Sequence, residues 1–431
     1  MTYNQAIEYI TASPKFGKIA GLQRIERLLE LLGNPQKQLK FVHVAGTNGK
    51  GSVCACIHSV LMEAGYKTGL FISPHLQRFS ERVRVDKTEI SETEICKYVS
   101  IIRQKAETMP QDGLEAPTEF EIITAMAMLH FNASACDIVV LEVGIGGIID
   151  STNIIDENES LLSVITSIGF DHMEYLGETI EEIAAKKAGI IKAGHTTIVY
   201  PAQDTVMKVF ERTCVQKNAQ LVKLEDNAVE IKAMKLDSTN FSIASLSELG
   251  DIQIKLLGKY GAYNAALAAL ACTKLRNKGF VISDTNIKDG LAQALWPGRL
   301  EIVNHAPLVI IDGAHNPEGA NALLNELSAY FVGYKLTFIC GCMADKDADA
   351  LFAPFANIAK RYITITPNTK RAMCGKELME KIKGFHGDVV FKGDIRDALG
   401  YTISTSAHDE IICAFGSLYF MGGVRDYFGL R

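Results

Sequence analysis

Short apolar runs rich in β-branched residues alternate with segments of helical periodicity along this chain of 431 residues, and this alternation constrains the fold more than any other feature. It is typical of α/β folds, because parallel strands need a crossover connection that is usually a helix. The first series of predicted strands is FVHVA (41–45), TGLFIS (68–73), DIVVLEV (137–143), LLSVITSI (161–168) and TTIVY (196–200). We therefore expect an α/β architecture on a mostly parallel sheet.

The other segments of this part of the chain indicate further elements. Helical periodicity covers 51–64, 117–131, 180–192, 262–277 and 285–295. The segment 180–192 is amphipathic, with acidic residues early and lysines late, the charge order that suits a helix dipole. The pattern from 220 to 258 is shorter and more polar, and it predicts a small β extension.

A second series of strands begins after W296-P-G-R299, where proline and glycine break the pattern. Its predicted strands are LVIIDGA (308–314), LTFICG (336–341), RYITITP (361–367), DVVF (388–391) and EIICAFGS (410–417). We therefore predict two domains, a larger one at 1–296 and a smaller, Rossmann-like one at 297–431.

The charge balance and the cysteines exclude several classes of protein. A net charge of −6 with scattered Lys and Arg residues excludes a nucleic-acid partner. The N-terminus lacks a signal-peptide pattern, and no apolar run reaches the roughly 18 residues of a membrane helix, so we expect a cytoplasmic protein. The CxC pairs Cys54/Cys56 and Cys340/Cys342 lack a matching second pair at zinc-site spacing, which favours small buried side chains over metal ligands.

The stretch V44-A-G-T-N-G-K-G-S-V53 has the composition of a phosphate-binding loop with altered spacing. The usual pattern places a glycine six residues before the lysine and a hydroxyl directly after it. Here Val44 takes the first position, and Gly51 moves the hydroxyl to Ser52. The stretch still joins a predicted strand to a predicted helix, where backbone amides and Lys50 would hold phosphates. The alternative is a glycine-rich turn with a surface lysine.

Acidic and histidine residues after neighbouring strands are candidate metal ligands. Glu142 ends a predicted strand, where phosphate-loop enzymes place an acidic residue that helps to bind Mg²⁺. His172, close to Asp171 and Glu174, follows another strand and is a candidate metal ligand or charge stabiliser. A solvated glutamate and a histidine that caps a helix are the structural alternatives.

The second series offers nucleotide contacts of its own. Asp312 ends a predicted strand, where an acid can bind ribose hydroxyls, and His315 can meet a phosphate or a base. Arg299 is a candidate phosphate ligand, with a plain surface arginine as the alternative. Asn316 and Pro317 also fit a helix cap, which is compatible with the first interpretation because it uses different residues.

Taken together, these motifs resemble the folylpolyglutamate synthase/dihydrofolate synthase family, relatives of the Mur ligases, over essentially the whole chain. The matching pieces, in order, are AGTNGKGS (45–52), SPHL (73–76) with FSER (79–82), LEVGIGG (141–147), DSTN (150–153), Asp171-His172 with Leu176-Gly177, KAGIIK (187–192), Asn264-Ala265, WPGR (296–299) and DGAHNP (312–317). The resemblance implies an ATP-dependent amide ligase, with a Mur-ligase-like ATPase domain followed by the smaller domain.

The resemblance also implies a role for each matching residue. The implied ATP-binding residues are Gly46, Thr47, Asn48, Gly49, Lys50, Gly51, Ser52, Asn264, Arg299, Asp312 and His315. Two Mg²⁺ ions would be held by Ser52, Glu142, His172 and Lys187, with Lys187 carbamylated. Lys50, His172 and Lys187 would be the catalytic residues. Ser73, His75, Arg82 and Asp150 would bind the acceptor.

The implied reaction joins L-glutamate to the γ-carboxyl group of a folate, through an acyl phosphate made with ATP. Dihydropteroate is a second candidate acceptor, and a monomer is expected. Three positions depart from the family pattern: Ile148 replaces a basic residue, Lys186 a glutamate and Gly261 a glutamine. Ile148 lies closest to the acceptor motif, which keeps open a Mur-type ligase with another carboxylate acceptor. A catalytically silent nucleotide-binding protein is the alternative of a different class.

Overall fold

The computed structural model describes residues 1–17 and 20–430, which form two compact units. The first unit contains Met1–Glu230, Ser242–Ile252 and Tyr263–Ala294, and the second contains Ile231–Phe241, Gln253–Ala262 and Leu295–Arg431. Within the described part of the chain, no helix combines the length and the apolarity that crossing a bilayer requires.

The first unit is built on an eight-stranded sheet that is mostly parallel, as the alternation of elements predicts. Its strands are β1 (Phe41–Ala45), β2 (Thr68–Phe71), β3 (Val83–Val85), β4 (Thr88–Glu89), β5 (Ile138–Glu142), β6 (Ser160–Ile165), β7 (Thr196–Val199) and β8 (Gln220–Lys223). Their order is β4-β3-β2-β5-β1-β6-β7-β8, in which the β2–β3 and β3–β4 pairs are antiparallel and the other pairs are parallel. All five residues of β1 and of β5 are buried, as expected for parallel strands covered on both faces.

The helices of this part of the chain begin at residues suited to that position. They are α1 (Tyr3–Ala12), α2 (Gln23–Leu31), α3 (Lys50–Glu63), α4 (Glu92–Ala106), α5 (Glu119–Ala133), α6 (Met173–Leu176), α7 (Ile180–Lys187) and α8 (Asp204–Gln216). Thr118 and Thr179 start α5 and α7 through capping boxes, in which a threonine and a glutamate three residues later satisfy each other's backbone amides.

The predicted β extension is present as a three-stranded sheet with the order β11-β10-β9. Its strands, and the helices that follow, are β9 (Val229–Met234), β10 (Thr239–Ile243), β11 (Ile252–Ile254), α9 (Gly258–Arg276) and α10 (Asp284–Gln293).

The second unit contains a six-stranded sheet with the order β12-β13-β17-β14-β15-β16. The strands are β12 (Glu301–His305), β13 (Leu308–Asp312), β14 (Leu336–Cys340), β15 (Ala359–Thr364), β16 (Val389–Phe391) and β17 (Ile411–Phe415). The helices are α11 (Pro317–Tyr330), α12 (Ala348–Phe352), α13 (Gly375–Lys383), α14 (Ile395–Thr405) and α15 (Met421–Tyr427). Five strands are parallel, and β12 is an antiparallel edge strand that the sequence patterns do not predict.

Two predicted elements end earlier than expected. The helix predicted over 180–192 ends at Lys187 and gives way to a 3-10 turn at Ala188–Ile190. A side-chain carbon on Gly189 would lie 2.3 Å from Ile148, so the chain turns where it closely approaches another loop. The strand predicted over 161–168 ends at Ile165, and the next residue, Thr166, donates its hydroxyl to Asn48 O in the glycine-lysine loop at 2.7 Å.

Candidate active site

The glycine-lysine stretch forms a tight loop between β1 and α3. Gly46 and Gly49 have φ values of +151° and +85°, in the region that glycine tolerates best. A side-chain carbon would lie 1.7 Å from Thr166 Oγ1 at Gly46 and 2.6 Å from Asn264 Oδ1 at Gly49. Both glycines are therefore required by backbone conformation and by space. The structure thus also brings Asn264 to the loop.

Two lysine side chains reach the backbone of this loop. Lys50 Nζ donates to the carbonyl oxygens of Gly46 at 3.2 Å and Thr47 at 3.1 Å. Lys187 is only 4% exposed, and its Nζ donates to the same Gly46 oxygen at 2.7 Å. The chain separation between Lys187 and Gly46 is 141 residues, so the fold has assembled this group of side chains. Lys50 is thus folded over the loop, and it is not the surface lysine of the alternative interpretation.

Glu142 lies at the carboxyl end of β5, paired in register with Val44 of β1. Its side chain is 4% exposed and accepts a hydrogen bond from the Ser73 amide at 3.0 Å. Ser52, in the first turn of α3, is 3% exposed. The fold therefore holds a buried carboxylate at the end of β5 and a buried hydroxyl at the start of α3, which argues against a solvated Glu142.

His172 adopts a left-handed conformation, with φ of +50°, directly before α6. Its amide donates to Asp171 Oδ1 at 2.9 Å, and its Nε2 lies 4.0 Å from Asp171 Oδ2. Its side chain does not hydrogen-bond to the start of α6, so the alternative of a capping histidine is not what the structure shows. Among residues 1–17 and 20–430, no group of three or more His, Cys, Asp or Glu side chains converges as a metal cluster.

Hard oxygen donors are what Mg²⁺ takes from a protein, usually one or two groups, with phosphates and water at the remaining positions. The Ser52 hydroxyl and the Glu142 carboxylate are of this kind. The donor chemistry of the site therefore fits a magnesium ion that arrives with ATP. In this structure Lys187 Nζ donates a hydrogen bond to Gly46 O, and the residue would offer Mg²⁺ an oxygen ligand only if it is carbamylated.

The predicted acceptor residues Ser73, His75 and Arg82 belong to one ordered loop. Arg82 Nε donates to His75 Nδ1 at 2.9 Å. Burial, together with the charge of Arg82, lowers the pKa of His75 to about 4, so the ring is neutral at physiological pH. The buried Glu81 accepts hydrogen bonds from the amides of Leu76 and Arg78 at 2.7 and 2.9 Å, which fixes the loop.

Asp150 is 6% exposed and belongs to a second loop at this side of the first unit. Its carboxylate accepts from the amides of Ile145 at 2.8 Å and Thr152 at 3.0 Å, and from the Thr152 hydroxyl at 2.5 Å. Burial raises the pKa of Asp150, while these hydrogen bonds oppose the rise. The structure therefore places this predicted acceptor residue as an anchor of its own loop.

Phe120 is a residue at this loop that the sequence patterns do not indicate. A side-chain carbon on Gly144 would lie 2.7 Å from the Phe120 ring and 3.1 Å from Asp150 Oδ2. The aromatic ring and the carboxylate therefore flank Gly144. The capping box at Thr118 marks the start of α5 in the sequence, but no local signal places Phe120 beside Asp150.

The second unit holds the remaining predicted nucleotide ligands. Asp312 ends β13, is 5% exposed, and accepts from the Tyr260 hydroxyl at 2.9 Å and from the amides of Leu300 and Ala314, both at 2.8 Å. A side-chain carbon on Gly313 would lie 1.9 Å from Arg299 Nη1, so this glycine makes room for the guanidinium.

His315 and the helix cap beside it use separate groups. His315 Nδ1 donates to Gly313 O at 2.8 Å, and this carbonyl can only accept, so Nδ1 carries the hydrogen. Asn316 accepts from the Gly319 amide at 2.8 Å, and Pro317 is the first residue of α11. The predicted helix cap is therefore confirmed.

Family models match most of the chain. The Mur ligase middle domain matches residues 44–272, and the glutamate ligase domain of Mur ligases matches residues 298–418. The chain is 37% identical over 434 residues to dihydrofolate synthase/folylpolyglutamate synthase of Bacillus subtilis, covering 98% of each chain.

Solved structures agree with these matches. A folylpolyglutamate synthase of Mycobacterium tuberculosis complexed with ADP superposes with a TM-score of 0.89 at 29% identity, covering 100% of this chain and 98% of that one. A folylpolyglutamate synthase complex with AMPPCP and folate gives a TM-score of 0.85 at 32% identity, covering 99% of each chain. The predicted resemblance and fold class are confirmed: the chain belongs to the folylpolyglutamate synthase/dihydrofolate synthase family of Mur ligases, which are ligase enzymes.

Proposed function

We propose that this protein uses ATP to join L-glutamate to the γ-carboxyl group of a folate, with dihydropteroate as a second acceptor. The observation that carries the proposal is the convergence of Lys50 and Lys187 on the Gly46 carbonyl, in a loop next to the buried Glu142. Relatives named for this reaction, and solved relatives that hold ADP or both AMPPCP and folate, support it.

The acceptor carboxylate is a poor electrophile, so the reaction must first activate it. The acceptor carboxylate attacks the γ-phosphorus of ATP and releases ADP, which gives an acyl phosphate. The uncharged amine of glutamate then attacks the acyl carbon and displaces inorganic phosphate, and the amine gives up its proton as the amide forms. The protein supplies no nucleophile, so its contribution is positioning and the stabilisation of charge.

The residues of the first unit divide this work. The amides of residues 46–51 and the start of α3 would hold the phosphates. Lys50 would exchange the carbonyls of Gly46 and Thr47 for a phosphate oxygen and neutralise the charge that develops on transfer. Asn264, beside Gly49, would contact the adenine, and the loop from Ser73 to Arg82 would face the acceptor.

Magnesium would be held by Ser52 and Glu142, with His172 and a carbamylated Lys187 as the ligands of a second ion. When bound, Mg²⁺ withdraws charge from the phosphoryl oxygens of ATP. Burial of Lys187 at 4% exposure supports the modification, because an uncharged amine is the form that reacts with carbon dioxide, and burial disfavours the ammonium.

The second unit would add three contacts to ATP. Arg299 would bind the phosphates, Asp312 the ribose, and His315 the nucleotide. The proposal includes a domain boundary between residues 296 and 297, which the limits of the two family models support. It also includes a monomer in the cytoplasm. The ten unpaired cysteines support a reducing compartment.

The test is ADP release by the purified protein with Mg-ATP and L-glutamate, with tetrahydrofolate, dihydropteroate or no acceptor. Glutamate-dependent release with tetrahydrofolate is the expected result. Release with dihydropteroate as well would establish both activities. If neither tetrahydrofolate nor dihydropteroate supports ADP release by protein that binds ATP, the proposal is contradicted and another carboxylate acceptor is favoured. The exposed Ile148 would then be the first residue to replace with a basic one.

A further inference from the structure

His43 is a fully buried polar residue in the middle of β1, three residues before the phosphate loop. Side chains alternate along a strand, so His43 lies on the same face as Phe41 and Ala45. Those two residues belong to two different apolar clusters of the first unit. A buried imidazole between apolar clusters needs hydrogen-bond partners, and the identity of the partner indicates its role.

The partner of His43 is Thr152. His43 Nε2 lies 2.8 Å from Thr152 Oγ1, and Thr152 Oγ1 donates to Asp150 Oδ1 at 2.5 Å. A hydroxyl has a single hydrogen, and this one is directed at the carboxylate. Thr152 therefore accepts from the histidine, and His43 Nε2 carries the ring hydrogen. His43 Nδ1 is buried and has no hydrogen-bond partner within the described residues.

The hydrogen bonds continue from Asp150 to the glycine-rich loop. Asp150 Oδ2 accepts from the Ile145 amide at 2.8 Å. Gly147, two residues on, closely approaches the backbone oxygens of Lys186 and Lys187, since an added side-chain carbon would lie 2.7 and 3.0 Å from them. A continuous path of polar contacts therefore leads from the interior of β1 to the loop of residues 144–153.

A second basic residue holds the same loop. Lys192 Nζ donates to Asn153 Oδ1 at 2.8 Å, and Asn153 Nδ2 donates to the Ile148 carbonyl at 3.1 Å. Burial, aided by the charge of Lys192, holds the pKa of His43 well below its usual range. A neutral ring with its hydrogen on Nε2 satisfies these hydrogen-bond directions.

We propose that His43 is a positioning residue for the acceptor carboxylate, which acts by orienting Asp150 and the loop of residues 144–153 through the Thr152 hydroxyl. This inference rests on the proposed function and on the role in acceptor binding that the family resemblance implies for Asp150. His43 itself touches no substrate. Without the Nε2 hydrogen of His43, the Thr152 hydroxyl is free to rotate away from Asp150. The Asp150 carboxylate is then no longer a fixed partner for the Ile145 amide.

The first experiment compares the KM values of the full-length protein for tetrahydrofolate and for ATP. His43→Leu should raise the KM for tetrahydrofolate about tenfold, the effect of one lost hydrogen bond, and should leave the KM for ATP unchanged. His43→Gln should restore the acceptor KM, because its amide nitrogen can replace Nε2–H. Ser163→Ala is the matched control. Ser163 lies on β6 in register with His43 of β1, is fully buried, and donates its hydroxyl to Ile190 O at 2.8 Å.

Thr152 provides a second route that does not depend on the folding of His43→Leu. Thr152→Val should reproduce the effect of His43→Leu, Thr152→Ser should not, and the double variant should be no worse than either single one. An acceptor KM that stays at the wild-type value in both Thr152→Val and His43→Leu would overturn the inference. So would an equal rise in Ser163→Ala or a parallel rise in the KM for ATP.

Amide hydrogen exchange keeps the inference separate from the proposed function. His43→Leu and Thr152→Val should speed exchange in a peptide that contains residues 144–153 at least several-fold, and Ser163→Ala should not. This readout needs no acceptor. A wild-type protein that is inactive with both folate acceptors would contradict the proposed function alone, whereas unchanged exchange in both variants would overturn the role of His43.

Discussion

Two lysines meet at one backbone oxygen of the candidate active site. Lys50 reaches the Gly46 carbonyl at 3.2 Å from the adjacent turn of α3, and Lys187 reaches it at 2.7 Å from the end of α7. A carbonyl oxygen is a weak partner for an ammonium compared with a phosphate oxygen. Lys50 is thus placed where a phosphate of ATP would replace this contact, and Lys187 lies at the same oxygen, where a carbamylated side chain would hold a metal ion.

Lys187→Ala should therefore lower kcat for glutamate-dependent ADP release by about 10²-fold or more, the scale seen when one pre-oriented charge stabiliser is removed. The matched control is Lys186→Ala, since Lys186 is the exposed preceding residue. It should stay within about twofold of the wild type. Equal activities of the two variants would remove Lys187 from the mechanism.

Tyr260 supports Asp312 in the second unit. Its hydroxyl donates to Asp312 Oδ2 at 2.9 Å, and burial, followed by the charge of Asp312, holds the pKa of Tyr260 well above its usual range. Tyr260→Phe should raise the KM for ATP about three- to tenfold with little change in kcat, because the carboxylate loses one of its fixed donors. Tyr362→Phe is the control, since Tyr362 is buried and donates to Phe352 O at 2.9 Å, away from Asp312. A similar rise in both variants would contradict this role.

At the scale of elements, α3 has a glycine in the left-handed region at each end. Gly49 precedes the helix with φ of +85°, and Gly65 follows it with φ of +86°. Their surroundings differ. A side-chain carbon on Gly49 meets Asn264 at 2.6 Å, whereas nothing lies within 4 Å of one on Gly65.

Gly49→Ala and Gly65→Ala should both lower stability by about 1–2 kcal/mol, the cost of left-handed backbone for a residue with a Cβ. Only Gly49→Ala should also weaken ATP binding, about tenfold or more, because the loop must move away from Asn264. Urea unfolding and calorimetric titration with Mg-ATP measure the two effects. Equal affinities in the two variants would show that the loop tolerates a side chain at Gly49.

The same helix shows which elements the sequence predicts well. β1, the loop and α3 are consecutive in the chain, and their apolar pattern and glycines are local signals, so the sequence predicts them almost to the residue. The strands β3 and β4 have only three and two residues. Both of them, and the edge strand β12, depend on an antiparallel neighbour, which no local pattern contains.

Side-chain contacts across the chain are less predictable still. Lys187 reaches Gly46 across 141 residues and Tyr260 reaches Asp312 across 52, and such contacts exist only once the sheets are assembled. Positions after predicted strands indicated Glu142, His172 and Asp312 as candidates, whereas Lys187, Asn264 and Asp150 came only from the resemblance to a known family. The anchoring of Asp150 by its own loop, and the position of Phe120 beside it, required the fold.

At the scale of the whole molecule, buried histidines make the stability of the first unit depend on pH. Burial is the first cause that lowers the pKa values of His43, His58 and His75, and those of His58 and His75 fall to about 4. A histidine with a lowered pKa binds its proton more weakly in the folded state than in the unfolded chain, whose value is about 6.5. The unfolded chain therefore takes up more protons between these values, and stability rises with pH through that window.

His58 is 5% exposed, so its contribution can be isolated. Stability should be highest above about pH 6.5 and should fall as the pH drops towards 4, with His58 contributing about 2 kcal/mol of the loss between pH 7 and pH 5. His58→Leu should reduce this loss in urea unfolding measured at both pH values, whereas His408→Leu, at an exposed histidine, should leave it unchanged. If the loss is undiminished in His58→Leu, the His58 ring of the wild-type protein is already protonated in the folded state at pH 5. Its Nε2 has no hydrogen-bond partner within the described residues, so water would then have to satisfy it.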